Sequence, residues 1–315
     1  MKVLILGASG FIGRAAADAF VRAGHIVWGQ TRSHDSANEF GLHEILPVVC
    51  DPHTAEGQKV WGAVAKDVDV LLDCLASGGA EKALAIFHTF LSAISGRPEG
   101  SPLPTYLYTS GHYVMARGYG GLEAWSDERQ PANAPVNKGT IWRSQIEVPV
   151  MKSDKVNGVV IRPTCLYGKA GSYFAAYHFD AAYAAAQRGD KEFESISSDS
   201  GKISTIHTDD LADLFVRIAE LGSVCRGQAI VASNPSTDNL RDILDGVVRV
   251  AGLKGWKRKD TADAYEVAWI SPLLNKSSLA HALTGWTPRK MSLSDGIDVY
   301  WHSYVSTKTT RKSKL

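Results

Sequence analysis

The sequence predicts an α/β protein with a doubly wound parallel β-sheet and a smaller C-terminal lobe. Two observations predict the sheet. Short apolar runs recur through the first half of the chain, as expected for strands that are buried on both faces. A segment with the apolar spacing of a helix follows each run, so that strands and helices alternate. A chain of 315 residues can bury one large core or two smaller ones.

The first apolar run ends in the stretch GASGFIG, residues 7–13, which leads into an alanine-rich helix over residues 14–22. Gly7 allows a tight turn, Gly10 allows close approach of a pyrophosphate, and Gly13 allows the helix to pack on the strand. The stretch therefore predicts a Rossmann-type dinucleotide loop. Its expected cofactor contacts are Gly7, Ser9, Gly10, Phe11, Ile12 and Gly13.

The end of the second strand, residues 26–31, favours NADP over NAD. An acidic residue there would bond the ribose hydroxyls, whereas this chain has Thr31 followed by Arg32. The Arg32 guanidinium suits a ribose phosphate, although a solvated surface arginine is the alternative. Asp51 follows the third strand, residues 45–49, where it could bond the adenine amino group or cap the next helix.

Further strands are predicted at residues 68–74, 106–110 and 158–163, and their carboxyl ends should meet at the rim where open α/β folds bind ligands. Cofactor contacts expected at this rim are Leu75, Ala76 and Pro163. Candidate catalytic groups after the middle strand are Ser110, His112 and Tyr113. Helices are predicted at residues 81–93, 138–151, 173–187, 209–221, 239–251 and 293–304, with a late strand at 228–232.

The motifs GASGFIG, YTSG, VVIRPTCLYG, IHTDDLADLF and GQAIVASNPS follow one another over nearly the whole chain. This order resembles the extended short-chain dehydrogenases/reductases, the NAD-dependent epimerase/dehydratase group. The resemblance implies a Rossmann domain at residues 1–165, to which 203–232 return, and a mainly substrate-binding lobe at 166–306. It also implies structural roles for His207 and Asp210, and a homodimer that pairs two helices of each subunit.

The resemblance further implies a catalytic tyrosine, a lysine four residues after it, and a serine or threonine. Alignment on Glu147 places Gly139 at the tyrosine position and Arg143 at the lysine position. Arg143 could contact the ribose hydroxyls, but a guanidinium never becomes neutral and replaces an ammonium poorly. The serine position falls on Gly111, with Ser110 one residue early. The chain is thus an atypical member that lacks the YxxxK pair.

The proton donor is therefore expected at another position on the rim. His112 has the advantage that histidine titrates near neutral pH, with an exposed loop histidine as the alternative. Tyr113 is a second candidate. Tyr167 is expected to be structural, because it belongs to the YG turn of the family.

Three functions fit these features. The first is an NADP-dependent oxidoreductase or epimerase-like enzyme for a small carbonyl or alcohol metabolite, with a relocated proton donor. The second is a non-redox isomerase, cyclase or lyase that keeps the nucleotide as a structural cofactor. The third is a non-enzymatic NADP(H) sensor. The loop at 117–135 and the segment 168–200 would form the substrate pocket, with Tyr177 and His178 as expected contacts.

The 34 basic and 33 acidic residues leave no net field that would favour nucleic acid or an anionic membrane, so a small molecule is the expected partner. The cysteines lack metal-ligand or disulfide spacing and are expected to be reduced core residues: Cys50, Cys74, Cys165 and Cys225. No metal site is predicted. The tryptophans Trp256, Trp269 and Trp286 are expected in the core of the C-terminal lobe.

Targeting is predicted from the two ends. The first strand begins at residue 2, which leaves no room for a signal peptide, and no apolar run reaches membrane-spanning length. The last residues, Ser313, Lys314 and Leu315, form the tripeptide read by the peroxisomal import receptor, after a tail at 307–312 that is expected to be flexible. The sequence therefore predicts a peroxisomal protein, with the cytoplasm as the alternative.

Overall fold

The computed structural model describes residues 1–76, 78–115, 124–129, 138–169, 171, 174–197, 201–263, 266–267, 270 and 273–312. The strands are β1 (Lys2–Leu6), β2 (Ile26–Thr31), β3 (Leu46–Val49), β4 (Val70–Asp73), β5 (Thr105–Thr109), β6 (Trp125–Ser126), β7 (Asn157–Pro163), β8 (Cys165–Tyr167), β9 (Glu192–Ser195), β10 (Lys202–His207), β11 (Ala229–Ala232), β12 (Thr237–Asn239), β13 (Gly255–Arg258) and β14 (Leu274–Asn275). The α-helices are α1 (Phe11–Arg22), α2 (His34–Leu42), α3 (Ala55–Ala65), α4 (Ala80–Ile94), α5 (Ser144–Lys152), α6 (Asp180–Arg188), α7 (Thr208–Leu221), α8 (Leu240–Ala251), α9 (Ser278–Thr284) and α10 (Ile297–Lys312).

Seven strands form the main sheet in the order β11-β7-β5-β4-β1-β2-β3, and every neighbouring pair is parallel. The predicted doubly wound parallel sheet is confirmed. One apolar cluster packs α1 and α7 on one face of the sheet, and another packs α3, α4 and α5 on the opposite face. The strand order reverses between β1 and β4, which is the place where open α/β sheets form a ligand crevice.

The C-terminal half has a core of its own, in which α6, α8 and α10 pack together. The small sheets β12-β10-β8 and β13-β9 border this core. A smaller lobe was predicted there, and the precise limits drawn for the two parts remain predictions. No helix in the described ranges is both long and apolar enough to cross a membrane.

Some predicted elements differ from the observed ones. The helix predicted at 138–151 begins with a 3₁₀ segment, Lys138–Arg143, and becomes α-helical only at α5. The tail expected to be flexible at 307–312 is helical, because α10 meets no glycine or proline before it ends at Lys312. Residues 313–315 lie outside the described part, so peroxisomal import through them remains a prediction.

Three tryptophans were predicted in the core of the C-terminal lobe. Trp286 is buried in the core of the main sheet rather than of the lobe, since its Nε1 donates to the Asp210 carbonyl oxygen at 2.9 Å. Trp256 is half-buried against the lobe core, and Trp269 lies outside the described residues. Cys165 and Cys225 are buried, Cys50 and Cys74 are half-buried, and all four thiols are free.

Candidate functional site

The glycine loop has the close contacts that its sequence predicts. Gly7 has a φ of +77°, which favours glycine, and its carbonyl oxygen accepts from Gly10 N at 2.9 Å. A Cβ at Gly13 would lie 2.2 Å from the Gly7 oxygen, so only glycine lets α1 approach the loop this closely. Gly10 is the N-cap of α1, and no side chain caps that end. The backbone N–H groups of the first turn are therefore available to a phosphate.

Beside this loop lies a cavity of about 410 Å³ at the carboxyl ends of β1, β4, β5 and β7. A volume of this size is within the range of small-molecule sites. The cavity is lined by Ile12, Cys74, Leu75, Ala76, Gly78, Thr109, Ser110, Gly111, His112, Tyr113, Gly139, Thr140, Trp142, Arg143, Pro163, Thr164, Cys165 and Leu166. It thus brings together Ile12, Leu75, Ala76, Ser110, His112, Tyr113, Arg143 and Pro163 from the predicted site.

The other predicted cofactor residues do not line this cavity. Ser9 lies at the exposed tip of the glycine loop and accepts from Thr31 Oγ1 at 3.2 Å, which joins the loop to the end of β2. Phe11 packs against Gly171, where a Cβ would meet its ring at 2.2 Å. Arg32 is exposed next to Ser33, the N-cap of α2.

Asp51 is exposed and makes a local turn. Its Oδ1 accepts from His53 N at 3.0 Å, and its carbonyl oxygen accepts from Thr54 N at 3.3 Å. The helix cap is Thr54, whose Oγ1 accepts from Gly57 N at 3.0 Å. The alternative that Asp51 caps α3 is therefore wrong, and its contact with adenine remains a prediction.

The cavity wall fits a nicotinamide dinucleotide in two respects. Ser110 Oγ is buried and has no hydrogen-bond partner in the described part of the chain, so it is available to a ligand. Gly78 and Gly111 also line the cavity, and a Cβ at either would point into open space. A flat ring can therefore lie against the backbone at both positions.

His112 is buried at the cavity wall. It is 3% exposed, which rules out the alternative of an exposed loop histidine. Burial lowers its pKa to about 4, so the imidazole is uncharged at neutral pH, and its role in proton transfer remains a prediction. Its Nδ1 lies 2.6 Å from Asn275 Oδ1, and its Nε2 lies 3.6 Å from Cys165 Sγ. An uncharged imidazole in this setting can accept a proton through one nitrogen.

Tyr113 and Tyr167 have different surroundings. Tyr113 lines the cavity, its ring lies 4.2 Å from the His112 ring, and its hydroxyl is 3.6 Å from Cys165 Sγ. The Tyr167 hydroxyl donates to Met291 O at 2.6 Å and accepts from Asn234 Nδ2 at 3.1 Å. Tyr167 is thus held in the structure, as predicted.

Gly139 and Arg143, which the alignment on Glu147 placed at the expected tyrosine and lysine positions, both line the cavity. Arg143 Nη1 donates to Thr109 O at 3.2 Å, and its guanidinium lies 4.6 Å from the centre of the Trp142 ring. Buried Asp73 is near this cation. Burial raises the pKa of Asp73 to about 6, while bonds from Leu75 N and Tyr106 act in the opposite direction. Arg143 therefore places a permanent positive charge at the cavity wall.

Three residues of the C-terminal half, His207, Asp210 and His178, were given roles from the sequence. His207 Nδ1 accepts from Asp209 N at 3.0 Å at the start of α7, and Asp210 accepts from the backbone of Arg289 and Lys290 at 3.0 Å. Their structural roles are confirmed. His178 is fully buried with its Nδ1 2.6 Å from Ser195 Oγ, so it is not the substrate contact that was expected.

Tyr177 packs against the same lobe core, away from the cavity lining. The loop predicted at 117–135 lies largely outside the described residues. Its described part includes β6, which pairs with β14. Within the described residues, no three His, Cys, Asp or Glu side chains are grouped so that they could hold a metal ion.

The contacts of Cys165 and Asn275 with His112 were not predicted from the sequence. Cys165 stands within the quoted motif VVIRPTCLYG, but it was interpreted only as a core residue. Asn275 lies 163 residues after His112 and has no local motif around it. Only the fold brings these side chains to one wall.

Known proteins resemble this chain in part of its sequence and in its fold. Residues 3–87 match the model of the NAD dependent epimerase/dehydratase family. No curated protein sequence matches significantly. Among solved structures, a dTDP-glucose 4,6-dehydratase from Bacillus anthracis in complex with NAD is 14% identical, with a TM-score of 0.75 and 97% of each chain covered.

Two epimerases show the same similarity. A UDP-glucuronic acid 4-epimerase from Bacillus cereus, in complex with UDP-glucuronic acid and NAD, is 16% identical over 98% of this chain and 99% of its own, with a TM-score of 0.74. A nucleoside-diphosphate-sugar epimerase from Pseudomonas aeruginosa is 15% identical over 98% of each chain, with a TM-score of 0.71. The chain therefore has the fold of these epimerases and of this dehydratase, and its residues 3–87 match the model of the NAD dependent epimerase/dehydratase family.

Proposed function

We propose that this protein is a nicotinamide-dependent oxidoreductase or epimerase-like enzyme that acts on a small carbonyl or alcohol substrate. The observation that carries the proposal is the Ser110 hydroxyl, which is buried in a cavity next to the glycine loop and has no hydrogen-bond partner among the described residues. Buried polar atoms are nearly always bonded to protein, water or a ligand, so this hydroxyl is available to a bound ligand. The oxygen of a substrate held against the nicotinamide is the ligand we propose.

The residues have separate roles in this proposal. Residues 7–13 and Arg32 hold the two phosphate-bearing regions of the nucleotide, and Leu75, Ala76 and Pro163 border its nicotinamide half. Bound there, the nucleotide supplies a hydride donor or acceptor. Ser110 donates a hydrogen bond to the substrate oxygen, and His112 Nε2 accepts the proton that an alcohol loses on oxidation. Proton handling thereby moves from position 139 to the segment after β5.

Activity and a Ser110→Ala variant test this proposal. Purified protein is incubated with each nucleotide and a panel of aldehydes, ketones, alcohols, dTDP-glucose and UDP-glucuronic acid, while nicotinamide absorbance and product are followed. We expect Ser110→Ala to lower kcat/KM about 100-fold at unchanged nucleotide affinity, because one donor to the reacting oxygen is lost. A matched Ser92→Ala change, on the exposed side of α4, should have no effect. Equal activity of Ser110→Ala and wild type would remove the basis of the proposal.

We further propose that the nucleotide is NADP. What supports it is Arg32, whose exposed guanidinium stands beside the N-terminus of α2, where a ribose phosphate also meets the positive end of the helix dipole. Two of the structural relatives are complexes with NAD, so NAD is the alternative that an experiment must separate.

Nucleotide titrations of wild type and Arg32→Ala test the choice. We expect wild type to bind NADPH more tightly than NADH. Loss of the guanidinium should weaken NADPH binding at least about tenfold, since a charged hydrogen bond contributes roughly 1.5–3 kcal/mol, and leave NADH binding unchanged. Arg22→Ala, an exposed arginine at the end of α1, is the control. Equal affinity of wild type for NADH and NADPH contradicts the choice of NADP.

A second function is favoured by the absence of the tyrosine and lysine at Gly139 and Arg143. It is a non-redox isomerase, cyclase or lyase in which the nucleotide only forms part of the pocket. This alternative predicts turnover in which neither the oxidised nor the reduced nucleotide exchanges hydrogen with the substrate.

A further inference from the structure

We infer that Cys165, His112 and Asn275 form a nucleophilic site for an aldehyde substrate, in which Cys165 Sγ bonds covalently to the carbonyl carbon. The inference rests on the proposed function, because it names the substrate class for the same cavity. Three observations carry it: a thiol, an imidazole and an amide at hydrogen-bond distances, the position of the thiol and the imidazole at the cavity wall, and the buried Ser110 hydroxyl in the same wall, which has no partner in the described part of the chain.

The three groups form a continuous chain of contacts. Cys165 Sγ lies 3.6 Å from His112 Nε2, and His112 Nδ1 lies 2.6 Å from Asn275 Oδ1. All three residues are less than one-tenth exposed to bulk solvent. Cys165 and His112 nevertheless line the cavity that accepts the ligand. A nucleophile, a base and a group that orients the base are the parts that nucleophilic catalysis requires.

Asn275 determines which nitrogen of His112 carries the proton. Its carbonyl oxygen can only accept, so His112 Nδ1 donates the hydrogen bond, and Nε2 keeps a lone pair that faces the thiol. The backbone of Asn275 is held because its N–H donates to Ser204 Oγ at 2.8 Å, and the side-chain Nδ2 lies 3.9 Å from Met115 Sδ. His112 Nε2 is thus held ready to accept the thiol proton.

The protonation states of His112 and Cys165 determine when the thiol proton moves. Burial lowers the pKa of His112 to about 4 and raises the pKa of Cys165 to about 12, so the pair is uncharged at rest. The proton is expected to move only as sulfur attacks, in the manner of a hydroxyl nucleophile with a histidine base. Arg143 adds a permanent cation to the same wall, which favours the negative charge that develops during attack.

In the first step Cys165 Sγ forms a bond to the carbonyl carbon, its proton passes through His112 Nε2 to the carbonyl oxygen, and the Ser110 hydroxyl bonds that oxygen in the resulting thiohemiacetal. An oxidised nicotinamide bound in the cavity would supply the hydride acceptor that this adduct needs, and His112 Nε2 would take the hydroxyl proton and release it to solvent, so that a thioester remained on Cys165. Water would then attack the thioester carbon, one water proton would pass through His112 Nε2 to the sulfur as the carbon–sulfur bond breaks, and the carboxylic acid would lose its proton to solvent.

This chemistry also accounts for the missing pair of residues. In the proposed site, the proton of the reacting oxygen goes to His112, which follows β5. A tyrosine at position 139 and a lysine at position 143 then have no proton to transfer. Gly139 and Arg143 are compatible with that reaction, although they are incompatible with the usual one.

Acylation of the nucleotide-free protein tests the site without hydride transfer. Full-length protein is incubated with p-nitrophenyl acetate, nitrophenolate release is followed, and the acetyl group is located by peptide mass spectrometry. We expect acetyl on Cys165 and none on Cys74, which lines the same cavity but faces Thr109 Oγ1 at 3.6 Å. Cys165→Ser should lose acylation at this position, and Cys225→Ser, the same change outside the cavity, should keep it.

Variants of the other two residues test their roles at unchanged melting temperature. His112→Gln should slow acylation about 100-fold, the usual contribution of a positioned base. Asn275→Leu should slow it as well, whereas Asn275→Asp, which still offers an oxygen acceptor to Nδ1, should restore it. A merely structural Asn275 would give equal acylation rates for these two folded variants.

The outcomes separate the two proposals. Equal labelling of Cys74 and Cys165, labelling of neither, or full aldehyde oxidation by Cys165→Ser would overturn the nucleophilic site. Specific labelling of Cys165 together with no reduction of NADP or NAD by any aldehyde or alcohol would support the nucleophile and overturn the hydride-transfer function.

Discussion

Three buried histidines make stability sensitive to acid. His112, His178 and His207 are each less than one-tenth exposed, and burial lowers their pKa values to about 4, 3 and 4. An unfolded histidine with its ordinary pKa of 6.5 takes up a proton sooner than the folded one does. Below about pH 6.5 the unfolded state therefore binds more protons through these residues, and their contribution lowers the free energy of unfolding as the pH falls.

His178 gives the clearest test, because it lies in the lobe core away from the cavity. His178→Gln should be less stable than wild type at pH 7, since it loses the packed ring and its contact with Ser195. The difference should shrink by about 1 kcal/mol for each pH unit between pH 6.5 and 5, since the unfolded histidine is half protonated at pH 6.5 and almost fully protonated at pH 5. Urea unfolding at several pH values measures it, with exposed His88→Gln as the control. A difference that is independent of pH contradicts the assignment of an uncharged His178.

A buried ion pair connects α5 to β7. Glu147 is 1% exposed, and its two carboxylate oxygens accept from Arg162 at 3.2 and 2.7 Å. Glu147→Gln should lower the free energy of unfolding by about 3 kcal/mol, because Arg162 would remain charged and buried without a counter-ion. The matched control is Asp298→Asn in the exposed pair with Arg249, which should change stability little. Denaturant unfolding of both variants measures the two free energies of unfolding. Equal losses of stability would contradict the claim that burial of the pair makes it important.

At this scale, the sequence predicts residues that act through local patterns and misses those that act through distant partners. The glycines of residues 7–13 were found because their spacing reports local backbone geometry. The buried state of His112 could not be predicted, since its partners Cys165 and Asn275 are 53 and 163 residues away. Arg143 lines the cavity although it ends a 3₁₀ segment and does not share one α-helix with Glu147, and its contact with the cofactor remains a prediction.

At the scale of elements, the turn from β1 into α1 depends on close backbone contact. Gly13→Ala would place a Cβ 2.2 Å from the Gly7 oxygen, so the loop or the helix must shift. We expect a loss of about 1–3 kcal/mol in stability and a clear loss of nucleotide affinity. Thermal unfolding and NADPH titration measure the two effects.

The control for this change is Gly62→Ala within α3, where a Cβ would meet nothing within 4 Å. Alanine has the higher helix propensity, so the control should be more stable by roughly 0.5–1 kcal/mol. Wild-type nucleotide affinity in Gly13→Ala would show that the close contact does not shape the site.

The elements themselves were predicted well where apolar runs are long. Strands β1, β2, β4, β5 and β7 were all expected, since burial on both faces leaves a clear apolar pattern. The 3₁₀ segment at Lys138–Arg143 was not, because the apolar spacing there also suits an α-helix. The pairing of β6 with β14 was missed as well, since two-residue strands carry no periodic signal.

For the whole molecule, the strand order joins the nucleotide loop, the segment after β5 and the segment after β7 at one cavity. The fold thus brings the proposed nucleotide and substrate residues to one wall, with Gly139 and Arg143 at the positions where a tyrosine and a lysine were expected. We propose that His112 transfers the proton and that Ser110 bonds the reacting oxygen in their place. Above all, we propose that hydrogen still passes between substrate and nicotinamide in this cavity.

Single-turnover isotope transfer tests that claim most directly. A substrate that carries deuterium on its reacting carbon is mixed with stoichiometric wild-type protein and oxidised NADP, and the nicotinamide ring is analysed by mass spectrometry and NMR. Hydride transfer predicts deuterium at C4 of the nicotinamide in samples quenched during the turnover, whether the hydride stays there, as in net oxidation, or returns to the product, as in epimerisation. Product formation with no deuterium on the nucleotide at any quench time would contradict the proposal and would favour the non-redox alternative.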